Sequence, residues 1–473
     1  MTLIDKNLVR YIMSTLIAIS GLGIICLLLE ILNLRKILIP VTLIGLIAAL
    51  GLTVTEFYLG ESFLGADKYN MVVTSGFSQG FSILFIVLAI LIITMSPKFY
   101  QDKMVKIADY VALKVFMLAG AVAMVSFGNF AMFFIGLEVL SIAAYVLAAS
   151  EPKNLKSNEA GMKYFIMGAF ASSFILFGIA LVYGATGSVD INEIAVNSML
   201  SGMPVWFSIG FIMISAGMLF KASIVPFHFW APDVYEGSPT LVTAIMSTLV
   251  KVAAIGALYK IVSILAAGIT PAYQIALIVL SILTMTVGNI TAMKQSNIKR
   301  MMAYSGISHA GFMMMTLLAI GSSANTVLYY AAAYSLAGVA AFAVILGVCR
   351  GKDNEDVSNF FGLIKRQPAM TAVMICAFLS LSGIPIFAGF FAKFFVFGQM
   401  LQTNHLILVI FGIINSVIAV SYYLGVANVM ITKEPETTER LRVPFEYKAV
   451  AVAAIVLNLL LGIFPNLIMG LTL

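Results

Sequence analysis

Long apolar runs follow one another along the whole chain, and short polar segments separate them. The runs predict helices at residues 11–30, 37–56, 79–96, 108–126, 130–149, 164–184, 205–225, 240–262, 272–292, 301–320, 327–349, 369–395, 406–430 and 449–470. Each run is close to the roughly 20 residues that an α-helix needs to cross the hydrocarbon layer. Because the runs lack the period-two alternation of barrel strands, they predict an all-α polytopic membrane protein with about 14 transmembrane helices.

The polar segments fall into a basic set and a set without basic residues. Lys and Arg concentrate at residues 35–36, 98–106, 153–163, 294–300, 350–366 and 433–448, and they are missing near 185–204, 263–271, 321–326 and 396–405. The positive-inside rule predicts that the basic set is cytoplasmic and that both termini lie on the other side. Lys6 and Arg10 depart from this rule, and the inner loop near 227–239 carries no Lys or Arg.

The composition narrows the class of protein further. Of 473 residues, 61% are hydrophobic and 10% are charged, whereas a soluble domain carries roughly a quarter charged residues. The net charge of +6 does not indicate nucleic-acid binding, because the basic residues sit in short loops. Cys26, Cys349 and Cys376 have neither zinc nor disulfide spacing, and no phosphate-binding glycine loop occurs. We therefore expect no metal and no cofactor in this chain.

Ionisable residues inside the apolar runs are the candidate functional residues. Five positions stand out: Glu138, Lys221, Lys251, His309 and Lys393. A charge at mid-membrane costs about 2.5–3.5 kcal/mol even on the mild insertion scale, so such residues usually face the bundle interior and often mark an ion pathway.

Two of these residues have informative neighbours. Glu138 shares one helical face with Ser141 and Tyr145, which lie at i+3 and i+7. Lys221 lies before Pro226, which interrupts the helical hydrogen-bond ladder. The alternatives are a structural ion pair for Glu138 and snorkelling to the interface for Lys221.

Lys251 and Lys393 extend this pattern into the second half of the chain. Lys251 lies in the middle of its run, one turn after Ser247, and Lys393 follows a span that is interrupted by Gly383 and Pro385. Corresponding interrupted spans in two halves of a chain indicate a transport site. The two halves have no clear sequence identity, so the spacing suggests an internal repeat without demonstrating one.

Two histidines and one further lysine allow two interpretations each, and a third histidine has no expected role. His309, one turn after Ser305, suits a proton relay because histidine titrates near neutral pH, but a hydrogen-bonded structural role is equally open. His228 lies at or beyond a helix end, where an interfacial anchor is the alternative. Lys163 lies at a predicted cytoplasmic helix start, where it guards an entrance or snorkels. His405 lies in an outer loop with no expected role.

These residue types suggest a chain of proton transfers. A lysine whose carboxylate partner moves or is neutralised can release its proton. We hypothesise that Glu138 and Lys221 form such a switch. Lys251 and His309 then relay protons through water to Lys393.

Several segments resemble the antiporter-like (Mrp-type) membrane subunits of bacterial proton-translocating NADH:quinone oxidoreductase, respiratory complex I. The segments are GLEVLS with YVLA (136–148), EAGMKYF (159–165), FK through PFHFWAPDVYEG (220–237) and KRMMAYS (299–305). The resemblance covers residues 100–430, and both EAGMKYF and Lys393 favour the N type of subunit.

The resemblance implies an architecture. It implies two inverted five-helix repeats, helices 4–8 and 9–13, with helices 7 and 12 broken. The implied units are three N-terminal helices (1–107), a first repeat (108–262), a second repeat (272–430) and a C-terminal loop with helix 14 (431–473).

The resemblance also implies function. Glu138 and Lys221 match the modulating pair, Lys251 the central relay and Lys393 the outlet-side residue, while Lys163, His228 and His309 fall in matching segments. The implied function is proton translocation driven by electron transfer from NADH to quinone. The chain then lies in the bacterial inner membrane beside other complex I subunits, which hold FMN and iron–sulfur clusters and bind NADH and quinone.

Two other functions stay open at this point. One is an antiporter-like subunit of a multisubunit cation/proton antiporter or of a membrane-bound hydrogenase. The other is a stand-alone secondary transporter for a small solute. The sequence does not distinguish H⁺ from Na⁺ as the transported ion.

Overall fold

The computed structural model describes residues 11–12, 14–60, 64–67, 69–103, 107–199, 203–265, 271–435, 437 and 439–472. The first group of helices is α1 Ser14–Ile31, α2 Arg35–Leu59, α3 Gly76–Lys103, α4 Ile107–Ser126, α5 Phe130–Ala148, α6 Leu155–Thr186, α7 Ile191–Ser198, α8 Val205–Ala222, α9 Trp230–Gly237, α10 Thr240–Ile245 and α11 Lys251–Ile264. The second group is α12 Pro271–Ala292, α13 Ile298–Met314, α14 Ala324–Val348, α15 Leu363–Arg366, α16 Pro368–Ser382, α17 Ala388–Gln402, α18 Leu406–Thr432, α19 Phe445–Ile463 and α20 Asn466–Met469.

A few short elements complete the fold. A π-helical segment, Met246–Val250, joins α10 to α11, and 3₁₀ turns occupy Met315–Leu318 and Val357–Phe360. Strands β1 (Tyr11–Ile12) and β2 (Leu64–Ala66) pair antiparallel. Lys106 of the predicted basic segments lies outside the described residues, as do Lys6 and Arg10, which depart from the positive-inside rule, and residues 266–270 of the predicted outer loop near 263–271.

The predicted membrane architecture is confirmed. Twelve helices within the described residues are long and apolar enough to cross a membrane. The two remaining predicted spans are built differently: 301–320 forms α13 with a 3₁₀ turn, and 369–395 divides into α16 and α17. The predicted start of the sixth span was wrong, because the helix begins at Leu155, where the Asn154 side chain caps it by accepting a hydrogen bond from the Lys156 amide.

Both predicted helix breaks are present and have the same local geometry. α8 is followed by Ser223 and α16 by Gly383, and both of these capping residues adopt the left-handed conformation. The next amide donates to the carbonyl five residues earlier in each case, Ile224 to Leu219 at 2.9 Å and Ile384 to Leu379 at 3.0 Å. This is the hydrogen-bond pattern of a Schellman C-cap, so each break is a capped helix end and not a bent helix.

A second pair of equivalent positions supports the internal repeat. Asn129 caps α5 and Asn297 caps α13, each through its side-chain oxygen. Each asparagine also forms an isolated β-bridge with an aspartate further along the chain, Asn129 with Asp190 and Asn297 with Asp356. The two repeats therefore share an asparagine helix cap that is bridged to a later aspartate. In the sequence only the two Asn–Asp pairs mark this feature. The exact boundaries of the predicted units stay a prediction.

The centre of the bundle consists of helices that are enclosed by other helices. The most apolar stretches of Thr240–Ile264 and Ala324–Val348 are completely buried within the described residues. At the edge of this central group, α4 packs closely on α5. A Cβ at Gly120 would collide with the backbone of Gly136 and Leu140, which shows how near the two helices approach. These close packings fix the depth of the side chains that the central helices carry.

Candidate functional site

The ammonium group of Lys221 is held by two hydroxyl groups of α5. Its Nζ donates to Ser141 Oγ at 2.7 Å and to Tyr145 Oη at 2.8 Å. The rings of Tyr145 and Tyr164 lie 5.0 and 5.8 Å from Nζ. Lys221 is only 2% exposed, so the ammonium stays in the interior and the snorkelling alternative is excluded.

Glu138 lies beside this site but does not contact Lys221. Within the described residues no ion pair of 4 Å or less joins the two, and Glu138 Oε1 is buried without a hydrogen-bond partner. Ser141 and Tyr145 stand one and two turns further along the same face of α5. Glu138 and the two hydroxyl groups that bind Lys221 thus lie on one face of α5.

Lys251 occupies the start of α11, directly after the π-helical segment. Its side chain is buried, its Nζ has no hydrogen-bond partner among the described residues, and the Tyr235 ring lies 5.8 Å away. A Cβ built at Gly306 would lie 3.3 Å from this Nζ and 2.7 Å from Tyr334 Oη. A π-helical turn inside a membrane helix frequently marks a functional position, and here it precedes an unpaired buried lysine.

His309 is bracketed by two buried tyrosines. Its Nδ1 lies 2.9 Å from Tyr330 Oη and its Nε2 lies 3.3 Å from Tyr423 Oη. Tyr423 Oη also hydrogen-bonds Ser305 Oγ. Both ring nitrogens thus face hydroxyl groups, each of which can give or accept a proton.

Lys393 lies at the second helix break. Its Nζ donates to the carbonyl of Ser382, the last residue of α16, at 2.9 Å and stands 5.1 Å from the centre of the Phe312 ring. A lysine of α17 thus binds the negative end of the α16 dipole across the break.

A small cavity connects this lysine's surroundings to His309. It is lined by His309, Tyr330, Ala333, Tyr334, Ser380, Leu381, Gly389 and Ala392. It leaves about 10 Å³ for the centre of a water molecule, which is room for roughly one water. His309 and Ala392, the residue before Lys393, thus line the same cavity.

The other two predicted residues lie near the first break. Lys163 is half-exposed and forms ion pairs with Glu159 at 2.6 Å and Asp233 at 3.0 Å. Arg300 of α13 also binds Asp233, at 2.6 Å. His228 is buried, and its Nδ1 has no partner among the described residues. Lys163 thus belongs to a charged cluster that links both repeats, and His228 lies inside the protein and not at an exposed interface.

Sequence reasoning missed two lysines and a group of tyrosines. Lys114 is completely buried between α3 and α4. Lys260 donates to the carbonyls of Val125 and Phe127 at the end of α4. Both lie away from the middle of their apolar runs, where snorkelling is the default expectation. The tyrosines around His309 carried no signal, because their hydroxyl groups meet only in the folded chain.

Relatives of this chain agree with the architecture and the motifs. The sequence profile of the family described as NADH:quinone oxidoreductase/Mrp antiporter, transmembrane, matches residues 128–419. The chain belongs to this family. It is 54% identical over 466 residues to NADH-quinone oxidoreductase subunit N of Flavobacterium johnsoniae, covering 97% of this chain and 100% of the relative. It is 52% identical to the protein of that name from Flavobacterium psychrophilum, again covering 97% and 100%.

Solved structures of this family have the same fold. A chain of respiratory complex I from Thermus thermophilus matches with a TM-score of 0.82 and 30% identity over 96% of this chain and 98% of that chain. A chain of the Mrp complex from a Dietzia species matches with a TM-score of 0.83 at 19% identity, over 97% and 95% of the two chains. At this identity, the similarity to the Mrp chain concerns the fold alone.

The packing of α6 against Tyr145 yields a first prediction. A Cβ at Gly168 would overlap the Tyr145 hydroxyl group, which Lys221 contacts. We expect Gly168→Ala to displace this hydroxyl and to lower NADH-driven proton uptake by about tenfold, since the shift breaks one of two hydrogen bonds to a buried charge. Proton uptake by inverted membrane vesicles measures the effect.

Gly184 of the same helix provides the matched control. Apart from the backbone of its own helix, no atom of the described residues lies within 4 Å of a Cβ at this position, so Gly184→Ala should leave proton uptake unchanged. Equal uptake in the two variants would contradict the assigned role of the Tyr145 hydroxyl group.

Proposed function

We propose that this chain is the N-type membrane subunit of a respiratory NADH:quinone oxidoreductase and that it moves protons across the membrane during electron transfer from NADH to quinone. The relatives with the highest identities quoted above carry the name of that subunit. The observation that carries the mechanism is the buried ammonium of Lys221, which donates to two hydroxyl groups beside Glu138, whose buried Oε1 has no hydrogen-bond partner among the described residues.

The two states of Lys221 follow from its surroundings. A buried charge is tolerated only where it is paired or hydrogen-bonded. When Glu138 approaches, the ammonium gains a counter-ion and keeps its proton. When Glu138 is withdrawn or neutralised, Ser141 and Tyr145 alone support the charge, and the proton leaves for Lys251. Glu138 acts in this scheme as the modulating partner and Lys221 as the proton carrier.

The second half of the path uses the remaining residues. Lys251 receives the proton with no hydrogen-bond acceptor of its own, so it holds the proton weakly. His309 takes the proton at one ring nitrogen and releases one from the other, because Tyr330 and Tyr423 face both nitrogens. One water in the adjoining cavity carries it on to Lys393 at the outlet side. Lys163 and His228 border the inlet side near the first break.

The chain takes no part in the redox chemistry under this proposal. FMN and iron–sulfur clusters, together with the NADH and quinone sites, belong to partner subunits. The complex lies in the bacterial inner membrane, with both termini of this chain on the non-cytoplasmic side, as the distribution of basic loops predicts.

Lys221→Ala tests the proposal in inverted membrane vesicles that contain the assembled complex, with assembly checked on a native gel. We expect NADH oxidation and NADH-driven proton uptake to fall together, because the chain is coupled to turnover. Lys153→Ala, which removes an exposed lysine, is the control and should retain both activities. Normal oxidation and uptake in an assembled Lys221→Ala complex would refute the proposed role.

A further inference from the structure

We propose that Lys114 is a second proton-carrying lysine, which exchanges its proton with the membrane surface through Tyr100 and Tyr110. The inference rests on the proposed proton-translocating function. It adds a second proton path between α3 and α4, formed by Lys114, Tyr100 and Tyr110. This side branch is separate from the main path, which runs from Glu138 to Lys393.

Lys114 is buried without a counter-ion. The side chain is 0% exposed, and its Nζ donates to Ser96 Oγ at 2.9 Å. The Tyr100 ring lies 4.6 Å from Nζ. Within the described residues no carboxylate lies within ion-pair distance of this lysine. Lys221 and Lys251 share this property, and a lysine that only tied α3 to α4 would not need an ionisable group.

The surroundings support the ammonium only in part. An unpaired ammonium in the protein interior is costly, and the face of an aromatic ring offsets only part of that cost. One hydroxyl group and one ring therefore leave the charged and neutral forms of Lys114 close enough in free energy for the proton to come and go.

Two stacked tyrosines lead from Lys114 toward the end of the helix. The Tyr100 and Tyr110 rings lie 5.0 Å apart at an interplanar angle of 10°. Tyr100 is 3% exposed, and its buried hydroxyl group has no hydrogen-bond partner among the described residues. Tyr110, in the first turn of α4, is partly exposed and donates to the Ser150 carbonyl at 3.3 Å.

The free hydroxyl group of Tyr100 is the feature that indicates transfer. A buried hydroxyl group without a partner is destabilising, so phenylalanine would be more favourable at this position if the ring were needed only for packing. The hydroxyl group can pass a proton between a transient water and the lysine without being consumed. The proton that arrives at Lys114 Nζ is the one that leaves it, so the branch needs no other reactant.

The depth of Lys114 matches that of Lys221. Lys114 precedes Gly120 by six residues on α4, and Gly120 packs against Gly136 and Leu140 of the antiparallel α5. Lys114 therefore lies opposite residues near Tyr145, which binds Lys221. A protonated Lys114 would raise the positive electrostatic potential at the level of Lys221. Protonation of Lys114 would therefore favour proton release from Lys221.

Three variants test the branch in inverted vesicles that contain the assembled complex. Lys114→Met keeps a side chain of similar length but has no ionisable group. Lys114→Arg keeps the positive charge but cannot release its proton. Tyr100→Phe keeps the ring but removes the hydroxyl group. We expect all three to lower the initial rate of NADH-driven proton uptake to below about half of the unmodified rate. Thermal stability of the Tyr100→Phe complex should be unchanged or higher, because this hydroxyl group makes no hydrogen bond to any described residue.

Lys221→Ala and Lys153→Met are measured in parallel. If Lys114→Met and Tyr100→Phe retain full uptake while Lys221→Ala loses it, the side branch is overturned and the main path stands. If Lys114→Arg and Tyr100→Phe retain uptake and only Lys114→Met loses it, Lys114 supplies a fixed charge and the branch is again overturned. If Lys221→Ala itself retains uptake, the proposed function fails independently of Lys114.

Discussion

Lys393→Met is expected to remove nearly all NADH-driven proton uptake from vesicles that contain an assembled complex, a loss of about 100-fold or more. Lys393 Nζ binds the Ser382 carbonyl at the end of α16, and Ala392 beside it lines the cavity that holds His309. His309 is the one basic side chain among the described residues that line that cavity, so Lys393 is the next lysine that a proton leaving it meets under the proposed path. Methionine fills the same volume but cannot accept a proton.

Assembly should survive this substitution, because replacing a buried polar group by an apolar one of similar size is often tolerated. Lys365→Met is the matched control, since that lysine is exposed and pairs with Glu434 at 2.7 Å. A Lys393→Met complex that pumps at the rate of the control would show that the proton leaves without passing this residue.

Gly389→Ala is expected to destabilise the second helix break by about 2–3 kcal/mol and to lower the amount of assembled complex. A Cβ at this position would overlap the carbonyl oxygen of Ser380. The Gly389 amide also donates to Ser380 Oγ at 3.2 Å, and that hydroxyl group donates to Asn458 of α19 at 2.9 Å. The overlap involves backbone, so a side-chain rotation cannot relieve it. Thermal unfolding of the solubilised complex and native gels measure the effect.

Gly398 lies on the same helix and serves as its control. A Cβ there meets no atom within 4 Å, and alanine has a higher helix propensity than glycine by about 1 kcal/mol. Gly398→Ala should therefore leave the complex at least as stable as the unmodified one. Equal stability of the Gly389 and Gly398 variants would mean that α16 and α17 can move apart at the break without cost.

The membrane architecture could be predicted because spanning length and apolarity are local properties. The break after Ala222 followed from Pro226, and the break near Gly383 followed from Gly383 and Pro385. The start of α6 was misplaced because Leu155–Lys163 is polar, and a capped helix extends beyond the apolar layer when its end lies in water.

The partners of the buried charges could not be predicted in the same way. The sequence suggested a direct Glu138–Lys221 pair, whereas the Lys221 ammonium contacts Ser141 and Tyr145. Which polar group on a helical face meets a lysine from another helix depends on the rotation of both helices, and apolar periodicity fixes that rotation poorly when nearly every position is apolar. The roles of the predicted residues stay a prediction that the variants above test.

The enclosed central helix α14 has a consequence for biosynthesis. One side of it is covered by α19, the last long helix of the described chain, through the bonds Asn458 Nδ2 to the Ala333 carbonyl at 2.9 Å and Tyr329 Oη to the Leu461 carbonyl at 2.8 Å. α14 must therefore face lipid until α19 has been synthesised and inserted. A ribosome that stalls before residue 445 leaves an exposed central helix, which quality-control proteases of the membrane can recognise before the subunit joins its complex.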